Sequence, residues 1–395
     1  MDFGNLKRCV QVGDGYKAAS GITVSDITVG QQIGNWQTFE RRSLAKKRKP
    51  SYAVFVELHG EIDPDKIESV SYTNQSEDSL AEPRYGTGNI TIVDEDGDYI
   101  ENGRTTFRKN QKVYVDAGFN DDMIPRFAGI IREVALESNS KTISLDIANS
   151  GYVLEQNKTS GDHSAYTTPK ALVDYLVSQT GIGAIDYENE SGPPSTLTFG
   201  TTYFSLRNFW KLVHGSALLM GYKQYFSEKG RLQLTRRSTF EETAYTFDDS
   251  IIEYIKHDRQ ATLINKKIVD FFNCIRPEFT AGDGIVAGQH TRNRTDSLSK
   301  HKHGEFANAE TDELIGNWAN AGMVIDQSLD WYAYPRDLYK LKCQAIPQLQ
   351  IDDRIFVNSK SENIKGYFTI EKTYEYITSN VYTGVFTILS AGERY

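Results

Sequence analysis

Chemistry needs particular side chains at particular spacings, and few stretches of this sequence qualify. His301-Lys302-His303, with His290 upstream, has a spacing compatible with a metal ion. The surrounding segment is polar and poor in core-forming residues, so a solvated loop is the simpler reading. Asp94-Glu95-Asp96-Gly97-Asp98 has the look of a calcium loop. Its glycine is misplaced, and Thr105 stands where the bidentate Glu would be required. A tight Asp-Gly turn after a strand ending at Val93 accounts for it. Cys9, Cys274 and Cys343 are too dispersed for a zinc module or a disulfide scaffold, and read as reduced core thiols. Cys274 and Cys343 would pair only if their strands are neighbours. There is no Gly-x-Ser-x-Gly elbow, His-Glu-x-x-His, Walker sequence or helix-opening Gly-x-Gly-x-x-Gly. Carboxylates are many, but no spacing selects two. The sequence nominates no catalytic residue, no metal ligand and no cofactor or cofactor-binding residue, and no enzymatic activity is expected.

One charge block stands out: Arg41, Arg42, Lys46, Lys47, Arg48 and Lys49, closed by Pro50. It reads as a solvated arm, or as an arm docking on an acidic neighbour or nucleic acid. The chain as a whole carries 44 basic and 53 acidic residues, net −9, which argues against a general nucleic-acid binder. At 395 residues it has room for roughly two to four domains. With 39% hydrophobic and 25% charged residues it is a globular composition. No apolar run approaches the ~18–20 residues of a membrane span. Met1-Asp2-Phe3-Gly4 opens without a basic start and apolar stretch, so no secretory signal is expected. The 23 Tyr and 19 Phe, against 4 Met, favour strands.

The elements follow from periodicity. Residues 1–50 read as an extended N-terminal arm, broken by Asp14-Gly15, Ser20-Gly21 and Gly30. Within 51–150, strands are expected at 52–58, 67–72, 89–93, 112–115, 125–131 and 142–147. Ile90 and Ile92, and Ile143, Leu145 and Ile147, alternate with polar residues, as in a sheet with one wet face. That density of strands suggests a closed or nearly closed small barrel. Residues 165–262 read as an α+β unit: a helix opened by Thr168-Pro169, a second carrying Phe209, Trp210 and Val213, and a hairpin turning at 227–230. Residues 277–335 read as a loop-rich excursion with one short helix near 311–321. Strands return at 263–276 and 336–395.

The two β regions resemble each other. Val113 aligns opposite Ile355, Phe127 opposite Phe368 and Ile143 opposite Phe386, with order and spacing kept. A duplicated barrel is the expectation, with the α+β and loop regions between or inside the copies. The fold class expected is mainly β with an α+β insertion: two similar small barrels plus peripheral α+β and loop regions.

Several stretches, taken together, resemble the hub proteins of phage tails and baseplates. They are 88–97, Val113-Tyr-Val-Asp-Ala-Gly118 and Pro125-Arg-Phe-Ala-Gly-Ile-Ile131; then 168–176, 210–222 and Gly230-Arg-Leu-Gln-Leu; then 350–357 and Gly366-Tyr-Phe-Thr-Ile-Glu371. The resemblance spans roughly 50–390 and is one of pattern and order. It implies a structural homotrimer whose six barrels surround a channel and adapt a sixfold tail tube to a threefold spike. Implied partners are a tail tube or distal tail protein, a spike or tip protein, the tape measure protein and other baseplate proteins. The implied location is the virion tail, after synthesis in the host cytoplasm. The chain ends near its last strand, so no lysin or receptor-binding extension is expected. Rival readings are a distal-tail or other baseplate ring protein, which would be hexameric, and a cell-wall or carbohydrate-processing or binding protein, which needs paired carboxylates in a cleft.

Overall fold

The structure, a computed structural model, describes residues 49–75, 85–137, 139, 141–159, 166, 168–183, 185–187, 208–236, 243–273, 288–311 and 318–390. The expected arm 1–50 lies outside these residues except for Lys49 and Pro50.

From Pro50 the alternation of apolar and polar residues lays down β1 (Pro50–Val56), β2 (Gly60–Glu61), β3 (Ile67–Gln75), β4 (Thr87–Val93), β5 (Ile100–Glu101), β6 (Arg104–Thr105), β7 (Lys112–Phe119), β8 (Asp122–Glu137) and β9 (Thr142–Asn149). Helix α1 (Gly151–Gln156) leads to α2 (Pro169–Ser178), where the Thr168 hydroxyl accepts from the Ala171 N–H at 3.2 Å and Pro169 opens the first turn. After β10 (Ile185–Tyr187), Asn208 caps α3 (Phe209–Leu219), followed by the hairpin β11 (Tyr222–Phe226) and β12 (Leu232–Arg236). Then come β13 (Tyr245–Asp248), β14 (Ile252–Gln260), β15 (Lys266–Asn273), β16 (Gly288–Thr295), α4 (Ser297–His303), β17 (Ala307–Thr311) and α5 (Trp318–Tyr332). The chain closes with β18 (Asp337–Gln344), β19 (Arg354–Ser359), β20 (Ile364–Ile377) and β21 (Tyr382–Ser390). The fold is mainly β.

The main sheet has two halves. One runs β1-β7-β8-β9-β4-β3 and the other β13-β19-β20-β21-β18-β14. Ranked by position in sequence, the two orders are identical. All pairs are antiparallel except β13 with β19, which is parallel. Each half curls round its own core. Val54, Ile90, Val113 and Leu145 lie in the first, and Phe247, Leu341, Ile355 and Ile388 in the second. The halves are open sheets rather than closed barrels: among the described residues no ladder joins β1 to β3 or β13 to β14. Their outer strands are nonetheless close in the chain, so each sheet must bend back on itself.

The correspondence extends to single hydrogen bonds. Ile131 N–H donates to Gln111 O (2.9 Å) and accepts, through its carbonyl, from Asn110 N–H (2.8 Å). Ile370 makes the same pair of bonds with Asp353 (2.9 Å) and Asp352 (2.9 Å). Asn110 and Asp352 are both left-handed, with φ 71° and 76°. Gln111 Oε1 accepts from Arg108 N–H, and Asp353 Oδ2 from Gln350 N–H, each at 2.7 Å. These bonds make Ile370 the counterpart of Ile131, and Ile388 that of Ile147. The sequence alignment was right for Val113 and Ile355 but slipped by two residues in the next two strands. A slip of two keeps every side chain on its face, so apolar pattern alone does not register it.

Two expected boundaries change. β13 and β14, expected within the α+β unit 165–262, belong to the second half-sheet. The strand expected to join the second barrel at 263–276 is β15, which pairs instead with β16 and β17 in a separate sheet. Where a loop excursion was expected, the described residues form β16, α4, β17 and α5, and the short helix expected near 311–321 is the 15-residue α5, Trp318–Tyr332. Val269, Val324, Ile325 and Leu329 from this insertion share one core with Leu172, Trp210, Val213 and Leu232.

Asn110→Ile should cost about 1–2 kcal/mol through left-handed strain, and Asn110→Gly little, as read from urea unfolding. A second check is pH. Asp249, between β13 and β14, accepts from Ser359 Oγ (2.6 Å), Lys360 N–H (2.9 Å) and Ser361 Oγ (3.0 Å). The Ser359 bond, with those from Ser361 and Lys360, holds its pKa below the usual Asp value. A depressed folded pKa stabilises above the unfolded value of about 4 and is lost as pH falls further. Asp249→Asn should remove that part of the acid sensitivity in a pH series of unfolding curves.

Candidate functional site

The residues singled out for chemistry resolve into structure. Asp94 is fully buried, and its carboxylate accepts from Asp98 N–H (3.0 Å) and Tyr99 N–H (2.8 Å). Lys66 Nζ stands 3.3 Å from Asp94, 3.4 Å from Asp96 and 2.5 Å from Asp98. An ammonium group therefore fills this turn. The Asp98 hydrogen bond leads the effects that raise the Lys66 pKa. His301 and His303 are exposed in the last turn of α4, a helix where a loop was expected. His290 lies on β16 opposite Phe271. Among the described residues no group of three His, Cys, Asp or Glu is placed to hold a metal. Cys343 is buried in the second core, and burial pushes its thiol pKa up. Cys9 and Cys274 lie outside the described residues.

The strongest polar constellation is one that the sequence did not disclose. Arg126, on β8, is 0% exposed and Glu375, on β20, 2%. Arg126 Nη2 donates to Glu375 Oε1 and Nε to Oε2 (3.4 Å). The same guanidinium donates to Pro347 O and to Leu349 O (3.2 Å). Glu375 also accepts from the Tyr72 hydroxyl (2.6 Å) and from that of Tyr382. Burial opposes the charge on Arg126, but Glu375 more than offsets it and the pKa stays high. Tyr72 and Tyr382 are pushed up by burial and by the Glu375 carboxylate. This cluster sits where β3 pairs with β20, the ladder that unites the two halves. Arg126 lies within an apolar strand whose two faces are both buried, so alternation gives no sign of its role.

Beside the joint lies an open polar groove of about 500 Å³ on the outer face of the first half. A bulge at 131–133 on β8 brings Arg132 and Glu133 both to its wall. Arg132 grips Asp146 at 3.1 and 2.5 Å, so that carboxylate is committed to an ion pair. Tyr374, Ser71, Asn89 and Ser144 line the rest. Elsewhere Tyr114 and Tyr367 are exposed, and the Arg354 guanidinium lies 4.2 Å from the Tyr367 ring centre. The geometry offers holding surfaces: rigid strands, exposed aromatic rings and paired charges.

Removing one partner of a buried pair leaves the other charge uncompensated. Arg126→Met or Glu375→Leu alone should destabilise by about 3–5 kcal/mol. The double variant should cost clearly less than the sum of the two, measured as a double-mutant cycle in urea.

No protein-family model matches the chain, and no curated protein does. Solved structures do. The 43 kDa tail protein of prophage MuSo2 from Shewanella oneidensis aligns at TM-score 0.57 and 13% identity, covering 86% of this chain and 98% of its own. A tail protein of Neisseria meningitidis MC58 aligns at 0.57 and 11%, covering 87% and 96%. The Escherichia coli c3393 protein, a type VI secretion system component with structural similarity to T4 phage tail proteins, aligns at 0.50 and 9%, covering 88% and 78%. At these identities the likeness is one of fold: over most of its length this chain shares the fold of the Shewanella and Neisseria tail proteins.

Proposed function

We propose that this chain is a structural, non-enzymatic hub of a phage tail tip or baseplate, or of a related contractile injection device. The observation that carries this reading is the duplication, two half-sheets of identical strand order with matching left-handed turns at Asn110 and Asp352. Three copies of a duplicated unit present six similar units round one axis. Such a homotrimer meets a sixfold tube on one side and a threefold spike on the other. The tail-protein likeness supports the reading.

In this reading the first hub unit is residues 51–150, and the second combines 245–260 with 337–390. The α+β region and the insertion lie at the periphery. Partners are a tail tube or distal tail protein, a spike or tip protein, the tape measure protein and other baseplate proteins. The location is the virion tail. Among the described residues no helix is long and apolar enough to cross a membrane.

Electron microscopy of the native particle tests this. The expected result is three copies, each contributing two similar units around one channel. Six equivalent copies would replace the hub with a distal-tail ring. A protein absent from the tail that cleaves or binds cell-wall glycan would overturn both.

A further inference from the structure

The joint between the two halves has an unfilled counterpart. β7 pairs with β8 as far as Ile130, while β9 follows β8 on to Glu137. Among the described residues, one edge of 133–137 therefore carries no strand. In the second half β19 pairs with β20 as far as Thr369, and β3 then takes residues 372–377 on the same edge. Both long strands bulge just before this stretch, at 131–133 and at 370–372. Residues 133–137 are thus the first half's equivalent of the stretch that receives β3.

The strand equivalent to β3 is β14, whose outer edge is also free among the described residues. Val70 stands opposite Ile90 and Ile255 opposite Leu341, and each strand bulges just before, at 67–69 and at 252–254. Thr73 and Arg259 stand opposite Thr87 and Leu338, three residues before Ile90 and Leu341. The register of the joint therefore carries over residue by residue. Within the chain Ser71 meets Tyr376 and Tyr72 meets Glu375. Their counterparts are Lys256 with Glu137, and His257 with Leu136. Arg259 falls opposite Ala135, and so between Glu133 and Glu137 on one face. Glu133, Glu137, Lys256 and Arg259 are all exposed. The carboxylates of β14 itself, Glu253 and Asp258, are held by Lys342 and Lys340, which leaves Lys256 and Arg259 to balance charge elsewhere.

We infer that β14 of one copy docks on residues 133–137 of β8 in the next, with Lys256 against Glu137 and Arg259 between Glu133 and Glu137. The contact deepens the hub reading and rests on it. Repeating the relation between the halves carries one copy onto the next, and six halves then close in three copies. It is a contact of side chains rather than a continued ladder. β14 has a second bulge, at 257–259, which β3 lacks, and a bulge disrupts the edge that a ladder needs. The buried cluster of the joint is not repeated either, since Tyr72 and Glu375 have His257 and Leu136 as counterparts. The halves of one chain are therefore held by buried groups, and neighbouring copies by exposed charges that salt screens.

The test uses the full-length protein, as an equal mixture of ¹⁵N-labelled and unlabelled chains treated with a carbodiimide, which turns a Lys–Glu contact into an amide. The expected result is mixed-isotope cross-links from Lys256 to Glu137 or Glu133, with covalent products ending at three chains. The same cross-links in products running past three chains would uphold the contact and overturn the trimer of the hub reading. A trimer by native mass spectrometry without these cross-links would overturn the contact and leave the hub reading standing. Single-isotope cross-links between these positions, or a monomer with none, would overturn the inference. As a second measurement, Lys256→Glu should weaken association between copies roughly tenfold in analytical ultracentrifugation, and adding Glu137→Lys should restore it. Unchanged association in Lys256→Glu, or no recovery in the double variant, would also overturn it.

Discussion

One strand belongs to both halves of this molecule, and the architecture depends on it. β20 pairs with β19 through its first part and with β3 through its last six residues, while β21 follows it from Phe368 to Ile377. A bulge between Ile370 and Lys372 marks the change of neighbour. Bulges bend a strand and increase its twist, which lets one strand serve two separately curled sheets. The two cores could have been independent units on a linker. Because they share backbone ladders, their relative orientation is set by hydrogen bonds.

The Arg126–Glu375 pair explains why that ladder forms in one register. Desolvating both charges costs several kcal/mol, which only good geometry and complete hydrogen bonding offset. Arginine suits the task because its planar fork meets a carboxylate and two carbonyls at once. Those carbonyls, on Pro347 and Leu349, belong to the connection between β18 and β19, so the second half is held by a loop as well as by a strand. A one-residue slip of β20 on β3 would turn Glu375 to the other face and leave Arg126 buried without a counter-charge. A second buried pair, Lys223 with Asp352, anchors the β11–β12 hairpin at the left-handed position that the duplication repeats.

The frame was legible because alternation is a direct consequence of strand geometry. Ile90, Ile92, Ile143 and Leu145 all point inward as their spacing required. Thr168-Pro169 opened a helix because both residues satisfy the first turn. Exact pairing was not legible. Phe127 was aligned with Phe368, yet the counterpart of Phe368 is Gly129 and that of Phe127 is Gly366. In each copy an aromatic ring lies near a glycine two residues away, in opposite order. The same bulk fills each core from a different position, so matching residue types misleads where hydrogen bonds do not. The acidic turn at 94–98 needed Lys66, distant in sequence, to be understood. Arg126 was hidden because nothing local marks a strand as buried on both faces.

The copies also differ where a strict repeat would be dangerous. In the first half, the free edge of β3 is taken by β20. Its counterpart in the second half is β14, which pairs with β18 on one side and, among the described residues, with nothing on the other. An identical second copy would leave that edge ready to receive a further β20-like strand, and a heterologous contact of that kind propagates. β14 is built against this. Glu253, Lys256, Asp258 and Arg259 line it, and Lys342 and Lys340 hold Glu253 and Asp258 at 2.7 and 2.8 Å. A charged, ion-paired edge resists strand addition. The 261–336 insertion leaves from the end of β14, between β14 and β18, the position in chain order that falls between β3 and β4 in the first half. The duplication therefore stops at two: the first copy's edge is consumed by the joint, and the second copy's edge is closed by charge.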